Sequence, residues 1–114
     1  MNRVQIYHNP KCSKSRAALE ILNEKCLDPE VIHYLNTGLS VPEVINLASL
    51  LGVKVLELLR TKEAEFKSIS IDWSDDHLAA AQLVQFPKLL ERPIVINIDK
   101  AVIARPPEKL LEII

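Results

Sequence analysis

Residues 4 to 8, Val4-Gln5-Ile6-Tyr7-His8, are mostly β-branched or aromatic and run into Asn9-Pro10, which predicts a first strand closed by a turn. The hydrophobic period then changes. Ala18, Leu19, Ile21, Leu22 and Cys26 recur at helical spacing, while Lys14, Arg16, Glu20, Asn23 and Glu24 fall mostly on the other face. That pattern predicts a helix starting within Lys11 to Ser13, with Cys26 on its apolar stripe. After Asp28-Pro29 the run Val31-Ile32-His33-Tyr34-Leu35 has strand length, and His33 within it reads as a core or edge residue. Two strands joined through a helix should pair in parallel with a right-handed crossover.

Asn36-Thr37-Gly38 breaks the run, and Ser40-Val41-Pro42-Glu43 carries a cap, an early proline and an acid at the capping-box position. Val44, Ile45, Leu47, Ala48 and Leu51 supply the stripe of that helix, which Gly52 ends. A short helix over 55 to 60, a charged stretch over 61 to 67, a helix capped by Ser74-Asp75-Asp76 and running to about Val84, and a turn near Pro87 to Leu90 make residues 36 to 91 mostly helical. Ile94 to Ile98 and Ala101 to Ala104 then read as a hairpin about Asp99-Lys100, and Pro106-Pro107 leads into a closing helix over 108 to 113. The order strand, helix, strand, helices, strand, strand, helix is that of an α/β, thioredoxin-like fold. It has a mixed four-stranded sheet flanked by helices, in one domain over 1–114 with a helical insertion at about 40–91, between strands two and three.

Composition narrows the chemistry. With 48% hydrophobic and 25% charged residues in 114, the chain can bury a core without disulfide or metal staples. Fourteen Lys and Arg against fifteen Asp and Glu leave a formal charge of −1, which gives no global field for nucleic acid or anionic lipid. Gly38 and Gly52 are the only glycines, too few for a dinucleotide fingerprint or a P-loop. No apolar stretch approaches the ~18 residues that cross a bilayer, and the start Met1-Asn2-Arg3 leads into a strand instead of a signal-peptide block. The expectation is a cytoplasmic monomer that binds neither membrane nor nucleic acid.

Two cysteines in such a chain are better read as thiols than as a staple. Cys12 stands where the first strand gives way to a helix, so the unpaired N–H groups of Ser13 to Arg16 and the positive end of the helix dipole converge on its sulfur. Such a position favours the thiolate, the nucleophilic form, and the same amides can cradle an oxyanion. Lys14, Arg16 and His8 add positive character. Ser15 occupies the position three after Cys12, so the site lacks a second thiol of its own. Cys26 is about 14 residues on, roughly 21 Å along a helix axis, which no disulfide spans. Reducing equivalents must come from an external thiol. Ala18 stands where a tyrosine-phosphatase loop would carry arginine, and His8, Cys12, Cys26, His33 and His77 lack the paired spacing of a zinc site, so no metal is expected.

The string Tyr7-His8-Asn9-Pro10-Lys11-Cys12-Ser13-Lys14-Ser15-Arg16 resembles the active-site turn of the glutaredoxin-coupled arsenate reductases. So do Leu59-Arg60-Thr61-Lys62-Glu63, Glu91-Arg92-Pro93-Ile94-Val95 and Ala104-Arg105-Pro106-Pro107-Glu108, in the same order. The likeness covers nearly the whole chain and is to the short members of the family. It implies that Cys12 attacks arsenate, that glutathione as co-substrate and then glutaredoxin resolve the adduct to arsenite, and that Arg60, Arg92 and Arg105 hold the oxyanion. It also implies a cis peptide before Pro93, beside the cysteine, and no tightly bound cofactor. Around the cysteine, Ser13 and Lys14 join the oxyanion cradle, Ser15 can donate to the thiolate, and Asn9 can tie down the turn. Arg16 is either part of the cradle or solvated, and His8 either raises the local potential as a cation or fixes the turn by a hydrogen bond. Two other functions fit the same residues: a glutathione-linked thiol oxidoreductase acting on another substrate, and an Spx-type regulator that binds RNA polymerase. Ser15 counts against the two-cysteine switch of the latter.

Overall fold

In the computed structural model, which describes residues 4–114, the expected strand β1 spans Val4–Tyr7 and α1 spans Ser13–Glu24. The first helix ends before Cys26. Lys25, Cys26 and Leu27 donate their N–H groups to the carbonyls of Ile21, Asn23 and Leu22, and Cys26 takes φ 56. The backbone there has turned left-handed, so Cys26 is not on the apolar stripe of α1 as its spacing suggested; it is an exposed free thiol just past the helix end.

Strand β2 is Glu30–Ile32, shorter than the run 31 to 35, because Tyr34–Thr37 winds into one helical turn, α2. The N–H groups of Asn36 and Thr37 both bond the His33 carbonyl. Burial explains the early end: Tyr34 is fully buried with its ring 6.3 Å from that of Tyr7, and His33 is exposed outside the strand instead of inside it. The hairpin strands are β3, Ile94–Asn97, and β4, Lys100–Ile103. Asn97 pairs with Lys100, so the tight turn is Ile98-Asp99, one residue earlier than Asp99-Lys100, and exposed Ile98 takes φ 60, a conformation β-branched residues seldom adopt.

The sheet order is β2-β1-β3-β4, with β1 parallel to β2 and antiparallel to β3, and β3 antiparallel to β4. This is the mixed four-stranded, thioredoxin-like arrangement that the element order predicts. On one face Val4, Ile6 and Val95 form a buried core with Ala18 and Leu22 of α1 and with Leu110. Leu110 belongs to Pro107–Glu112, which winds as a 3₁₀ segment in place of the expected closing α-helix. The opposite side chains of the same strands, Tyr7, Ile94 and Ile96, are buried too, which is why β3 reads as a continuous apolar run.

The chain up to Thr37 together with Arg92–Ile114 forms one compact unit, and Gly38–Glu91 forms the other. In the second unit α3, Val41–Leu51, starts with the expected capping box: Ser40 accepts from the Glu43 N–H and Glu43 accepts from the Ser40 N–H. Gly52 ends it at φ 70, where the absence of a Cβ removes the steric cost. Val55–Leu58 is 3₁₀, and the charged stretch holds a short α4, Ala64–Ser68. Helix α5, Asp76–Gln85, is capped by Asp75, and Pro87–Leu89 is a 3₁₀ turn. Val44, Leu47 and Ala48 of α3 and Ala79, Ala80 and Leu83 of α5 are buried, as are Val55, Leu58 and Leu89. Among the described residues no helix is long and apolar enough to cross a membrane.

Candidate active site

The backbone of Asn9 to Cys12 is a tight turn held by its own groups. The Cys12 N–H donates to the Asn9 carbonyl at 3.0 Å, and the Lys11 N–H donates to Asn9 Oδ1 at 3.0 Å. Asn9 therefore spends its side-chain acceptor on the turn. Arg16 Nη1 donates to the Pro10 carbonyl at 2.8 Å, which makes this guanidinium a strap across the turn. Of the two readings the sequence left open for Arg16, neither describes this bond.

Cys12 is the N-cap of α1, with φ −95 and ψ 122, and is half-buried. Its sulfur makes no side-chain cap hydrogen bond, but the N–H groups of Ser15 and Lys14 act on it. Burial pushes the thiol up. The Ser15 and Lys14 amides, then the charge of Arg92 and a polar contact from its guanidinium, outweigh that and hold the thiol below its ordinary value. Thus Cys12 is biased toward thiolate, as expected of a helix N-terminus, and the residue completing the bias comes from 80 positions later in the chain (92 − 12).

Ser15 is fully buried, and its hydroxyl is 2.6 Å from His8 Nδ1 and accepts the Asn9 N–H at 3.0 Å. This corrects the expectation that its hydroxyl donates to the thiolate: the backbone of Ser15 faces the sulfur, and its side chain faces β1. Of the two readings of His8, this contact fits the hydrogen bond and not the cation. Burial first, then the nearby charges of His33 and Arg16, hold its imidazole below the ordinary histidine value, so at neutral pH it is a hydrogen-bonding group and not a cation. With the ring neutral, Nδ1 and the Ser15 hydroxyl share a hydrogen bond whose donor is set by the tautomer, and the hydroxyl also accepts from the Asn9 N–H. The unfolded chain protonates His8 near pH 6.5 and the folded chain only at lower pH, so the contribution is complete above about 6.5 and is lost as pH falls toward the folded value. His8→Gln should accordingly lose less stability than the wild type between about pH 7.5 and 5.5. Denaturant midpoints at the two pH values measure this; equal losses would place the titration elsewhere.

Arg92 and Arg105 come from the starts and ends of the hairpin strands. Arg105 Nη1 donates to the Arg92 carbonyl at 3.2 Å, and the Arg92–Pro93 peptide is cis, as the resemblance implied. The Arg105–Pro106 peptide is cis too, which nothing in the sequence had singled out. Arg92 Nε is buried and has no hydrogen-bond partner among the described residues. Ser13 and Lys14 are exposed on the first turn of α1. Arg60 lies in the second unit, where Nη1 is 2.6 Å from Glu63 Oε1 and its N–H bonds the Leu89 carbonyl at 2.7 Å.

The model of the ArsC family matches residues 7–113, nearly the whole chain. The chain belongs to the ArsC family. An arsenate reductase from Haemophilus influenzae is 46% identical over 97% of this chain and 98% of its own length. An uncharacterized protein of Escherichia coli K12, YfgD, is 44% identical over 98% and 97%. The solved structure of an arsenate reductase from Vibrio cholerae superposes with a TM-score of 0.90 at 43% identity, covering 97% of each chain. This ArsC-family chain thus shares its fold with that structure throughout. What sequence reasoning missed at its site is His33, whose ring meets His8 edge-on at 5.9 Å. No local signal marks it, because the contact depends on how β2 pairs with β1.

Proposed function

We propose that this chain reduces arsenate to arsenite, with Cys12 as nucleophile and glutathione and glutaredoxin as the external thiol donors. The observation that carries the reading is the Cys12 thiol, held toward thiolate at the N-terminus of α1 with the Arg92 guanidinium beside it. The thiolate attacks arsenic and a sulfur–arsenic bond forms as one arsenate oxygen leaves as water. Arg92 and Arg105 offer N–H groups to the remaining oxygens; guanidinium suits a tetrahedral oxyanion because it presents paired donors at fixed geometry. The buried Arg92 Nε, which has no partner among the described residues, supports an acceptor brought from outside the protein.

Two external thiols then supply two electrons. Arsenic passes from the +5 to the +3 state, the two thiols end as a disulfide, and Cys12 is regenerated. One arsenate and two thiols give one arsenite, one disulfide and one water, so no tightly bound cofactor is required. The family relatives named arsenate reductases support the substrate. The absence of a second cysteine in the turn supports an external donor, since Ser15 stands three residues after Cys12.

The test is arsenite formation by the purified protein with glutathione and glutaredoxin, with each alone, and with neither. Turnover should need arsenate and thiol together and should be fastest with both donors. Turnover of a glutathionylated peptide that exceeds turnover of arsenate would instead make the chain a thiol oxidoreductase with another substrate.

A further inference from the structure

The strand register lines up four chain segments along one end of the sheet. Tyr7 of β1 pairs with Ile32 of β2 on one side and with Ile94 of β3 on the other, and Ile94 pairs with Ile103 of β4. The segments beyond these residues therefore occur in the order His33, then the turn bearing Cys12, then Arg92, then Arg105. The β3–β4 side of the cysteine carries guanidinium groups. Its β2 side carries a cleft of about 290 Å³ whose walls include His8, Pro10, Lys11, His33, Leu35 and Asn36.

We infer that this cleft is the docking subsite of the thiol donor, taking the carboxylate-bearing arm of a small peptide thiol. The inference rests on the thiol-dependent reaction proposed above. That reaction needs an attacking thiol that is not Cys12, and the only other cysteine, Cys26, follows the far end of a 12-residue helix, about 18 Å long. The donor approaches the turn from outside, on ground the oxyanion does not claim, and the β2 side is that ground.

The chemistry of the cleft fits such an arm. Lys11 is an exposed cation at the rim, and no carboxylate is among the lining residues. The Asn36 amide and the His33 imidazole offer hydrogen bonds to a peptide group or a carboxylate. Pro10 and Leu35, the latter 42% exposed, provide an apolar surface for a short alkyl chain. The volume is at the low end for small-molecule sites, about 300–1,000 Å³, so it accommodates an arm of a tripeptide-sized ligand. A protein thiol docks over a broad surface, on the order of 500 Å² on each partner even in a transient redox encounter, and not into one small cleft.

The probe is S-methylglutathione, which keeps the carboxylates and has no thiol to react. In an NMR titration it should shift the backbone amides of Lys11, His33, Leu35 and Asn36, and Lys11→Gln and Asn36→Ala should each weaken binding by about two- to fivefold, the range of a single exposed ionic or polar contact. The KM for glutathione should rise by the same factor in both variants while the alkylation rate of Cys12 by iodoacetamide stays as in the wild type. Turnover with 2-mercaptoethanol, which has no carboxylate, should be equal in all three proteins. Absent shifts, shifts confined to other surfaces, or an unchanged glutathione KM in both variants would overturn the subsite. Saturable shifts at the cleft together with no arsenite from any thiol would uphold the subsite and overturn the arsenate reaction.

Discussion

Cys12→Ser should abolish arsenite formation, lowering turnover at least on the order of 10³-fold, whatever donor is supplied. Two separate losses add up at that position. A serine hydroxyl stays protonated beside the same Ser15 and Lys14 amides and the same Arg92 charge, because those contacts shift the ionisation of a thiol by far less than the gap between a thiol and an alcohol. An oxygen at this position also forms no sulfur–arsenic bond, so the adduct on which the two external thiols act is not made. The substitution is nearly isosteric at a half-buried N-cap, and serine is itself a favoured cap residue, so folding should be kept or slightly improved. Coupled assays of arsenite release, alongside a thermal melt, measure both halves. A variant that folds and keeps most of the wild-type turnover would remove Cys12 from the chemistry.

Arg92→Gln should have the next largest effect. The guanidinium acts on the Cys12 sulfur by its charge and by a polar contact, and both favour the thiolate. Removing them while burial still favours the neutral thiol raises the thiol pKa, so the rising limb of the alkylation rate against pH should move to higher pH and the rate at neutral pH should fall. The same side chain is the proposed oxyanion donor, and loss of one preorganised charged donor lowers kcat/KM by about 10²–10³. The glutamine side chain can still donate an N–H, so a change in the pH profile isolates the charge from the hydrogen bond. An unmoved alkylation profile would mean that the α1 amides alone hold the thiolate. A moved profile with undiminished kcat/KM would take Arg92 out of oxyanion binding.

The parts legible in the sequence are those governed by near neighbours. Ser40, Glu43 and Gly52 mark the two ends of α3 because caps are satisfied by groups within one helical turn. Cys12 at a strand-to-helix junction could be read as an activated thiol for the same reason: the amides of Lys14 and Ser15 are two and three residues away. The misreadings are equally physical. Cys26 has the spacing of a stripe residue, but the backbone turns left-handed at that residue itself, and hydrophobic periodicity carries no information about φ. The run 31 to 35 looks like one strand, yet burial of Tyr34 against Tyr7 recruits its second half into a helical turn. Ser15, three residues from Cys12, can donate to the thiolate as far as sequence goes; its hydroxyl faces the other way, to His8, because α1 presents it to the buried end of β1.

By itself, then, the chain of residues determined the element order, the sheet's mixed thioredoxin-like character and the single thiol at a helix start, since each is set by local pattern and by the short reach of caps and turns. Only the tertiary structure decided which distant groups meet that thiol. Arg92 reaches Cys12, Arg105 reaches the Arg92 carbonyl, and His33 reaches His8 because the strand register sets their segments at one end of the sheet. Register is a property of paired strands, and a one-residue slip in any of them would turn alternate side chains to the opposite face.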